Sequence, residues 1–368
     1  MIREELPGFE ECLKYSILGK RSFLTFVRND FIADKVEREN LEQATVAPQF
    51  LVERAVGHLL HGLRYKCTIL NEISLSYLSL GDEHESDIRY DIRIIPDLNA
   101  LTNEEQILLA KHMVVDFTIT EPLNDLTMDQ PVQIFIGIVP WSVDTPEQLD
   151  GNVTKPHKTV LKPSITVMDW LKHKFWIAGS MPDESLNLEH RNIPGTTVSN
   201  DNTATTDDDD DDDDEDADIP ETIESIQIKN DFSEVHIEPS VRRYILDIMI
   251  HLRMHRLAYH SKGGGIIRDA LDSMILLCKL YSYDQGKNYV TPNVVKQMSF
   301  IYFPMHLVLI NSARRDPSRL YGSDYKLIQE FLDNVSKVKM EMSAKLDNPL
   351  FLEYLVVENT INKIVPAI

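Results

Sequence analysis

A Gly-Lys pair is the part of the sequence that comes closest to a phosphate-binding loop. It lies in Gly19-Lys20-Arg21-Ser22. A P-loop has the pattern Gly-x-x-x-x-Gly-Lys-Ser/Thr and follows a strand, so that backbone amides surround the phosphates. Here the first glycine is missing, Arg21 stands at the hydroxyl position, and the pair precedes an apolar run instead of following one. We therefore expect no phosphate binding at this position.

Two histidines have a spacing that could place metal ligands on one face of a helix. His251 and His255 are four residues apart. The sequence between them lacks the glutamate of a zinc protease, and Arg253 and Arg256 would repel a cation. An exposed helix face is therefore favoured over a metal site.

A triple glycine, 263–265, is the other candidate for phosphate chemistry. No Lys-Ser/Thr pair follows it, so we interpret it as a turn between two helices and not as a phosphate cradle. With these motifs the sequence predicts no cofactor and no metal ion.

The charge of the chain is concentrated in one segment. Residues 207–218 contain eight consecutive aspartates and three further acids, without a base. Removing these 11 charges from the formal net charge of −22 leaves −11 for the rest of the chain. A moderately acidic remainder disfavours direct nucleic-acid binding.

The spacing of the cysteines and the hydropathy of the chain limit the cellular compartments in which we expect the protein. Cys12, Cys67 and Cys278 are far apart in the sequence, which indicates neither a disulfide framework nor a zinc site. No run of about 18 apolar residues is present, so we expect no membrane span. These observations favour the cytoplasm, the nucleus or both.

The first half of the chain alternates between strand and helix patterns. A helix is predicted over 103–115, with Thr102 as its N-cap and Glu104 and Glu105 in its first turn. The strongest strand has many β-branched residues and is expected to stop at Pro140. This alternation predicts an α/β fold with a mostly parallel sheet. The strand candidates are 22–27, 66–70, 89–95, 132–139 and 175–178.

Three parts follow from the patterns along the chain. Residues 1–182 form the α/β core, in which Trp170 and Trp176 are expected to be buried. Residues 183–233 are poor in apolar side chains and are predicted to be a disordered acidic linker. Residues 234–368 are predicted to be helical. Their helices include one that begins at Pro239, one over 268–282, one capped by Thr291 with Pro292 in first position, and one in the tail with Leu327, Phe331, Leu332, Val335 and Val338.

The helical part carries a resemblance to a known family. Residues 239–256, the triple glycine, the helix over 268–282 and the turn Tyr289-Val-Thr-Pro292 resemble, in the same order, the lid of MoxR-type AAA+ ATPases. Residues 161–176 resemble the segment where that family has a Leu-Leu-Asp-Arg-Phe element, with Asp169 at the aspartate position. The resemblance implies a P-loop NTPase-like sheet with a C-terminal helical lid.

The same resemblance implies that the catalytic positions are degenerate. The strand ending in Ile95-Pro96-Asp97-Leu98 matches the strand that ends in Asp-Glu in the ATPases, where Asp helps to hold Mg²⁺ and Glu orients water. Asp97 is kept, but Leu98 replaces the glutamate, and residues 137–141 offer no polar sensor residue. Arg268 lies near the family's lid arginine. Asp97 and Arg268 are therefore remnant candidates for cofactor binding, and no catalytic residue is predicted.

A second resemblance is to the fungal family of maintenance of telomere capping protein 2. It rests on segments spread over 170–353, namely 170–176, 241–249, 302–307 and 348–353. It implies a role in protecting chromosome ends.

Three functions remain open at this point. The first is a non-catalytic scaffold or adaptor that contacts other, unidentified proteins. The second is a residual nucleotide binder or weak ATPase that uses the same cleft. The third, a nucleic-acid binder, would use the basic side chains of the helical lid, which are Arg242, Arg243, Arg253, Arg256, Lys262 and Arg268. The acidic run is hypothesised to contact four of them, Arg242, Arg243, Arg253 and Arg256.

Deleting residues 195–225 should leave the melting temperature nearly unchanged, because these residues carry little that could enter a core. The measurement is thermal unfolding of the deleted and the full-length chain in the same buffer. A decrease of many degrees would show that the segment packs against the folded part.

Overall fold

The computed structural model describes most of the chain outside the acidic segment. The described residues are 5–28, 47–61, 63–73, 88–113, 131–141, 167–181, 231–259, 266 and 270–366. Of the predicted linker over 183–233, only 231–233 belong to this set, and they form part of a short 3-10 helix, Asp231–Glu234.

The strands form one parallel sheet in the described part of the chain. Their order is β2-β3-β4-β1-β5, and all neighbouring pairs are parallel. Strand 1 between strands 4 and 5 is the order of an AAA+ ATPase core, so the predicted α/β class is confirmed. The strands are β1 (Phe23–Arg28), β2 (Tyr65–Ile69), β3 (Tyr90–Ile95), β4 (Val132–Trp141) and β5 (Ile177–Ser180).

Strand β4 runs past the residue that was expected to end it. Pro140 lies inside the strand and pairs with Val27 of β1. Strand β3 stops opposite Gly137, so beyond this residue β4 has a strand neighbour on one side only. A proline without an N–H is tolerated there, as on an edge strand. The expectation that Pro140 stops the strand is therefore wrong.

The helices begin where the capping residues predicted. Thr102 and Glu105 form a capping box at the start of α3, and Thr291 accepts the amide of Val294 at 3.3 Å at the start of α7. In the described residues the helices are α1 (Phe9–Gly19), α2 (Pro48–Leu59), α3 (Asn103–His112), α4 (Asp169–Lys172), α5 (Pro239–Arg253), α6 (Ala270–Asp284), α7 (Pro292–His306), α8 (Tyr325–Leu346) and α9 (Phe351–Ile361). Two further 3-10 helices, Ala313–Arg315 and Pro317–Tyr321, precede α8.

Both faces of the sheet are buried. Ile92, Ile94 and Ile136 belong to the larger core, to which α1, α2, α5, α6 and α7 contribute. The intervening residues of the same strands, such as Phe135, enter a second core with α3 and α4. Burial on both faces is the usual condition of an all-parallel sheet and explains why its strands are continuous apolar runs.

Trp176 joins the sheet to the helices. Its indole Nε1 donates to the carbonyl of Ser273 in α6 at 3.2 Å, and its amide donates to the carbonyl of Ser22 at 2.8 Å. Its ring lies against Gly19, where an added Cβ would come within 2.5 Å of the ring. Trp176 is buried as expected, whereas Trp170 is 42% exposed, so the expectation for Trp170 is wrong.

A buried pair of histidines lies beside this junction. His306 of α7 is stacked between Tyr302 and His173, with ring centroids 4.1 Å and 5.7 Å away. Its Nε2 lies 2.8 Å from the carbonyl of Trp176. Among the described residues neither histidine has a hydrogen-bond partner for Nδ1. Burial, followed by the charge of Lys172, lowers the pKa of His173 to about 4, and burial lowers the pKa of His306 to about 3.

None of the helices in these ranges combines the length and the apolar character that crossing a membrane requires.

The histidine pair makes the fold sensitive to acid. Folding depresses both pKa values below the ordinary value of about 6.5, so the pair is fully compatible with the fold above pH 6.5 and destabilises it as the pH falls toward 4. The cost of keeping His306 neutral should reach roughly 2 kcal/mol at pH 5. Melting temperatures measured from pH 7 to pH 5 should therefore fall less for His306→Gln than for the unmodified chain.

The control for this comparison is His251→Gln, because His251 is exposed on α5. It should keep the pH dependence of the unmodified chain. Parallel curves for His306→Gln and the unmodified chain would contradict the assignment of acid sensitivity to the buried pair.

Candidate functional site

The carboxyl edge of the sheet is the candidate site, because ligands of open α/β sheets bind outside the carboxyl ends of the strands. In this protein β1 ends there at Arg28, β3 at Ile95 and β4 at Trp141. Asp97 and Leu98, which the sequence singled out, follow β3 at this edge.

Asp97 is used by its own turn. Its Oδ1 accepts the amides of Asn99 at 2.8 Å and of Ala100 at 3.2 Å. The side chain of Asn99 in turn donates to the carbonyl of Pro140 at 2.5 Å, which fixes the turn to the end of β4. Asp97 therefore stabilises the loop after β3, a role typical of aspartate in turns.

Leu98 occupies the glutamate position with an apolar contact. It is fully buried, and its amide donates to the carbonyl of Ile138 at 2.9 Å. Its side chain covers Gly137 so closely that a Cβ on this glycine would lie 2.3 Å from Leu98 Cδ1. Leu98, at the position of the water-orienting glutamate of the ATPases, is thus part of the core. Gly137, the first residue of the region 137–141 where that family has a polar sensor, lies under its side chain.

Arg28 brings the end of a helix to the same edge. Its Nη1 donates to the carbonyl of Ala344 at 3.0 Å and lies 3.8 Å from a carboxylate oxygen of Asp347, the C-cap of α8. Its guanidinium also lies over the ring of Trp141, 5.8 Å from the centroid. A helix C-terminus carries partial negative charge, and Asp347 adds a full one, so this arrangement disfavours a phosphate group beside β1.

Lys20 lies far from this edge. It caps the C-terminus of α1 in the left-handed conformation (φ 52°) and precedes β1. Burial lowers the pKa of its ammonium group. Six residues of β1, about 20 Å of strand, separate Lys20 from the carboxyl edge. Lys20 and Asp97 are therefore not brought together into one site.

The remaining candidates give no ligand cluster in the described residues. Helix α5 ends at Arg253, so His255 lies beyond it and accepts the amide of Leu257 at 3.3 Å, while His251 lies on the exposed face. Across the described ranges no three His, Cys, Asp or Glu side chains converge as they would around a metal ion. Arg268 and the triple glycine lie outside the described residues.

Sequence reasoning missed an exposed surface between α7 and α8, which we call the 314–327 surface. Arginines and large apolar side chains lie close together in the sequence there, and all of them are exposed. Its defining residues are Arg314, Arg315, Arg319, Leu320, Tyr321 and Leu327. Arginine and tyrosine are frequent at binding surfaces, so the cluster of these residue types was the available signal. Of its apolar residues, the sequence reasoning considered only Leu327, as a member of a helix in the tail.

Comparison with known proteins gives one consistent family. A family model described as "Maintenance of telomere capping protein 2, N-terminal domain" matches residues 7–180. "Maintenance of telomere capping protein 2" of Saccharomyces cerevisiae (strain RM11-1a) is 36% identical over 375 residues, which cover 99% of each chain. The protein of the same name from Zygosaccharomyces rouxii is 32% identical over 371 residues, covering all of both chains.

One solved structure has a similar overall arrangement. It is that of a candidate ATPase from Cytophaga hutchinsonii, with 12% sequence identity and a TM-score of 0.45, and the match covers 89% of this chain and 90% of that one. At this TM-score the similarity adds nothing to the argument from the sheet order.

Restoring the glutamate at the carboxyl edge should destabilise the fold. In Leu98→Glu a carboxylate would replace a fully buried apolar side chain without a partner, at a cost of about 3 kcal/mol or more. Denaturant unfolding at neutral pH measures the change. Ile107→Glu on the exposed side of α3 is the matched control and should change stability by about 0.5 kcal/mol or less. Equal stability of the two variants would mean that position 98 faces an open cleft.

Proposed function

The chain belongs to the maintenance of telomere capping protein 2 family, and from this premise we propose that it is a non-catalytic scaffold or adaptor acting through contacts with other proteins. Its fold is that of an AAA+ core without the parts that bind and hydrolyse a nucleotide. We assign it to the process in the family name, telomere capping. This process favours a location of the protein in or near the nucleus. Direct nucleic-acid binding is disfavoured by the net charge of −22.

The observation that carries this proposal is the packing of Leu98 on Gly137 at the carboxyl edge. A water-orienting glutamate and a polar sensor residue would both have to enter this space, and the space is filled by an apolar contact. The polar group that is kept, Asp97, holds the turn after β3. Hydrolysis has no residue left at these two positions to position water or to sense the γ-phosphate.

The end of β1, where a P-loop would begin, also supports a protein without nucleotide hydrolysis. A P-loop follows the first strand, but no glycine lies between Gly19 and Gly57, so β1 is not followed by a glycine-rich loop. Arg28, at the end of β1, binds the C-terminus of α8. A negative helix end at this place opposes the binding of a triphosphate.

An adaptor needs exposed surfaces with apolar side chains, and the helical part has them. Leu246 and Ile250 of α5 and Met254, the residue that caps its C-terminus, are spaced four apart and exposed, so they form a stripe along the helix. Arg242 and Arg243 flank the start of this stripe. Apolar groups arranged as a contiguous exposed stripe are typical of protein–protein contacts.

A residual nucleotide binder or weak ATPase is the second candidate. The strand order of the sheet and the place of Asp97 after β3 are the observations that favour it. In this alternative Asp97 would help to hold Mg²⁺ as in the ATPases. Its Oδ1 already accepts the two amides of the turn, so Oδ2 would have to hold the metal ion.

Two measurements on the purified full chain separate these candidates. Incubation with ATP and Mg²⁺ should give no phosphate release above a protein-free control, and calorimetry should show no ATP binding at about millimolar concentration, because no phosphate cradle is present. Turnover that is lost in Asp97→Ala would instead establish the weak ATPase.

The adaptor itself is tested by affinity purification with cross-linking from the native cells. The unmodified chain should be cross-linked to defined proteins through peptides of α5. A variant with Leu246→Asp and Ile250→Asp should lose these cross-links while keeping its melting temperature, since both side chains are exposed. Cross-links that survive in this variant would place the contact elsewhere, and cross-links to DNA alone would overturn the protein adaptor.

A further inference from the structure

The 314–327 surface displays three arginines without acidic partners. Arg314, Arg315 and Arg319 are exposed on the two 3-10 helices, and among the described residues none of them forms an ion pair. Arg315 lies over the ring of Tyr259 at 5.2 Å and Arg319 over that of Tyr325 at 5.7 Å. The aromatic rings hold these two guanidinium groups in place. Arg319 Nη1 also donates to the carbonyl of Arg314 at 3.5 Å, and the other donors of the two groups are available to a ligand.

Large exposed apolar side chains follow these arginines in the sequence. Leu320 is 86% exposed, Tyr321 88% and Leu327 65%. Leucines scattered singly on a surface are common, but here they share one patch with tyrosine and arginine, the residue types that carry most binding energy at interfaces. The patch therefore has the composition of a binding surface for a chain that is both acidic and apolar.

The backbone beneath this surface is well held, so the exposure is not that of a frayed segment. Ile310, Ala313, Ile328 and Leu332 form a small core of their own under it. The carboxylate of Asp316 caps the second 3-10 helix through the amide of Ser318 at 2.8 Å and is buried. A rigid surface loses little entropy when it binds a ligand.

The arginines of α5 are less available than those of the 314–327 surface. Arg253 is half-buried and donates to the carbonyl of Ile266 at 3.3 Å. Arg256 forms an ion pair with Asp316 at 2.5 Å. Of the four arginines that the sequence offered as a contact for the acidic run, two are thus engaged inside the fold.

We propose that the 314–327 surface binds the acidic segment of this same chain, residues 207–228. The segment contains the 11 acids of 207–218 and then Ile219, Ile223, Ile226 and Ile228, with Glu221 and Glu224 between them. Its acids complement the three arginines, and its first two isoleucines, Ile219 and Ile223, complement the leucines and the tyrosine of the surface. Neither a purely acidic spacer nor a nucleic acid offers aliphatic side chains for the leucines.

The length of the chain allows this contact within one molecule. The described chain resumes at Asp231, just before α5, and the 15 residues of α5 span about 22 Å. The 314–327 surface packs near the other end of α5, where Arg315 meets Tyr259. The chain from 219 to 230 can extend over roughly 40 Å and that from 223 to 230 over roughly 27 Å, so the acids, Ile219 and Ile223 reach the surface, and the remaining residues form a tether that raises their effective concentration.

The contact has a regulatory consequence that is independent of the adaptor proposal. An acidic partner can reach the 314–327 surface only by displacing the tethered segment. Because the contact depends in part on exposed charges, it weakens as salt rises and the Debye length falls to about 10 Å at 0.1 M. Occupancy of the surface is therefore set by competition within the chain.

The test uses a fluorescein-labelled synthetic peptide with the sequence of residues 207–228 and measures its anisotropy with full-length chains at 50 mM NaCl. The acceptor is the chain in which Asp207 to Asp214 are replaced by Ser and Gly, which frees its own surface. This acceptor should bind the peptide about tenfold more tightly than the unmodified chain. Equal affinities would overturn the proposal, because the unmodified surface would then be unoccupied.

Arginine variants of the same acceptor locate the binding site. Arg314→Gln, Arg315→Gln and Arg319→Gln together should weaken peptide binding about tenfold, whereas the matched exposed pair Arg242→Gln and Arg243→Gln on α5 should leave it unchanged. The opposite pattern would place the acidic segment on α5 and overturn the proposal. If the triple variant has a lowered melting temperature, Leu320→Ser with Tyr321→Ser replaces it, since both side chains are more than 80% exposed.

Two competitor probes define the chemistry of the ligand. A peptide with Ser at the four isoleucine positions should compete about tenfold less well than the parent peptide, and equal competition would reduce the contact to unspecific charge attraction. A single-stranded oligonucleotide of the same charge should compete more weakly than the parent peptide. Stronger competition by the oligonucleotide would overturn the proposal in favour of a nucleic-acid surface.

Discussion

The position of Trp176 is the constraint on which the two halves of the fold depend. Its backbone adds β5 to the sheet beside β1, its indole binds α6, and its carbonyl meets His306 of α7. One residue thus fixes the last strand and two helices of the C-terminal part relative to each other. The closeness of its ring to Gly19 also fixes the end of α1, since a side chain at position 19 would collide with the indole. The sheet and the helices therefore share one continuous core.

At the carboxyl edge of the sheet three side chains make structural contacts: Leu98 packs, Asp97 closes a turn, and Arg28 binds a helix end. These uses are mutually supportive, because the turn of Asp97 places Leu98 over Gly137 and is itself tied to Pro140 by Asn99. Away from this edge, α5 and the 314–327 surface carry exposed apolar side chains.

The sequence predicted the fold better than the surfaces. Strand positions could be predicted because a strand buried on both faces is a continuous apolar run, and helix starts because Thr102 and Thr291 are strong caps. The end of β4 could not, because whether Pro140 is tolerated depends on where the neighbouring strand stops. Trp170 has the residue type of a core position, but its burial depends on whether another element packs against its face of α4. Only the family resemblance indicates that Leu98 replaces a glutamate, and only the structure shows that it packs on Gly137. The 314–327 surface was missed because helical periodicity does not tell which apolar stripe is covered.

The contact between Arg28 and Ala344 also bears on how this protein is made. The two residues are 316 positions apart, so the carboxyl edge beside β1 is completed only after the long chain between them has been synthesised. Until then the end of β1 lacks the helix that covers it, and this edge of the nascent sheet stays exposed. Contacts of such long sequence separation slow folding and prolong the exposure of apolar surface. Helix α8 thus closes the edge of a sheet whose strand β1 precedes it by more than 290 residues.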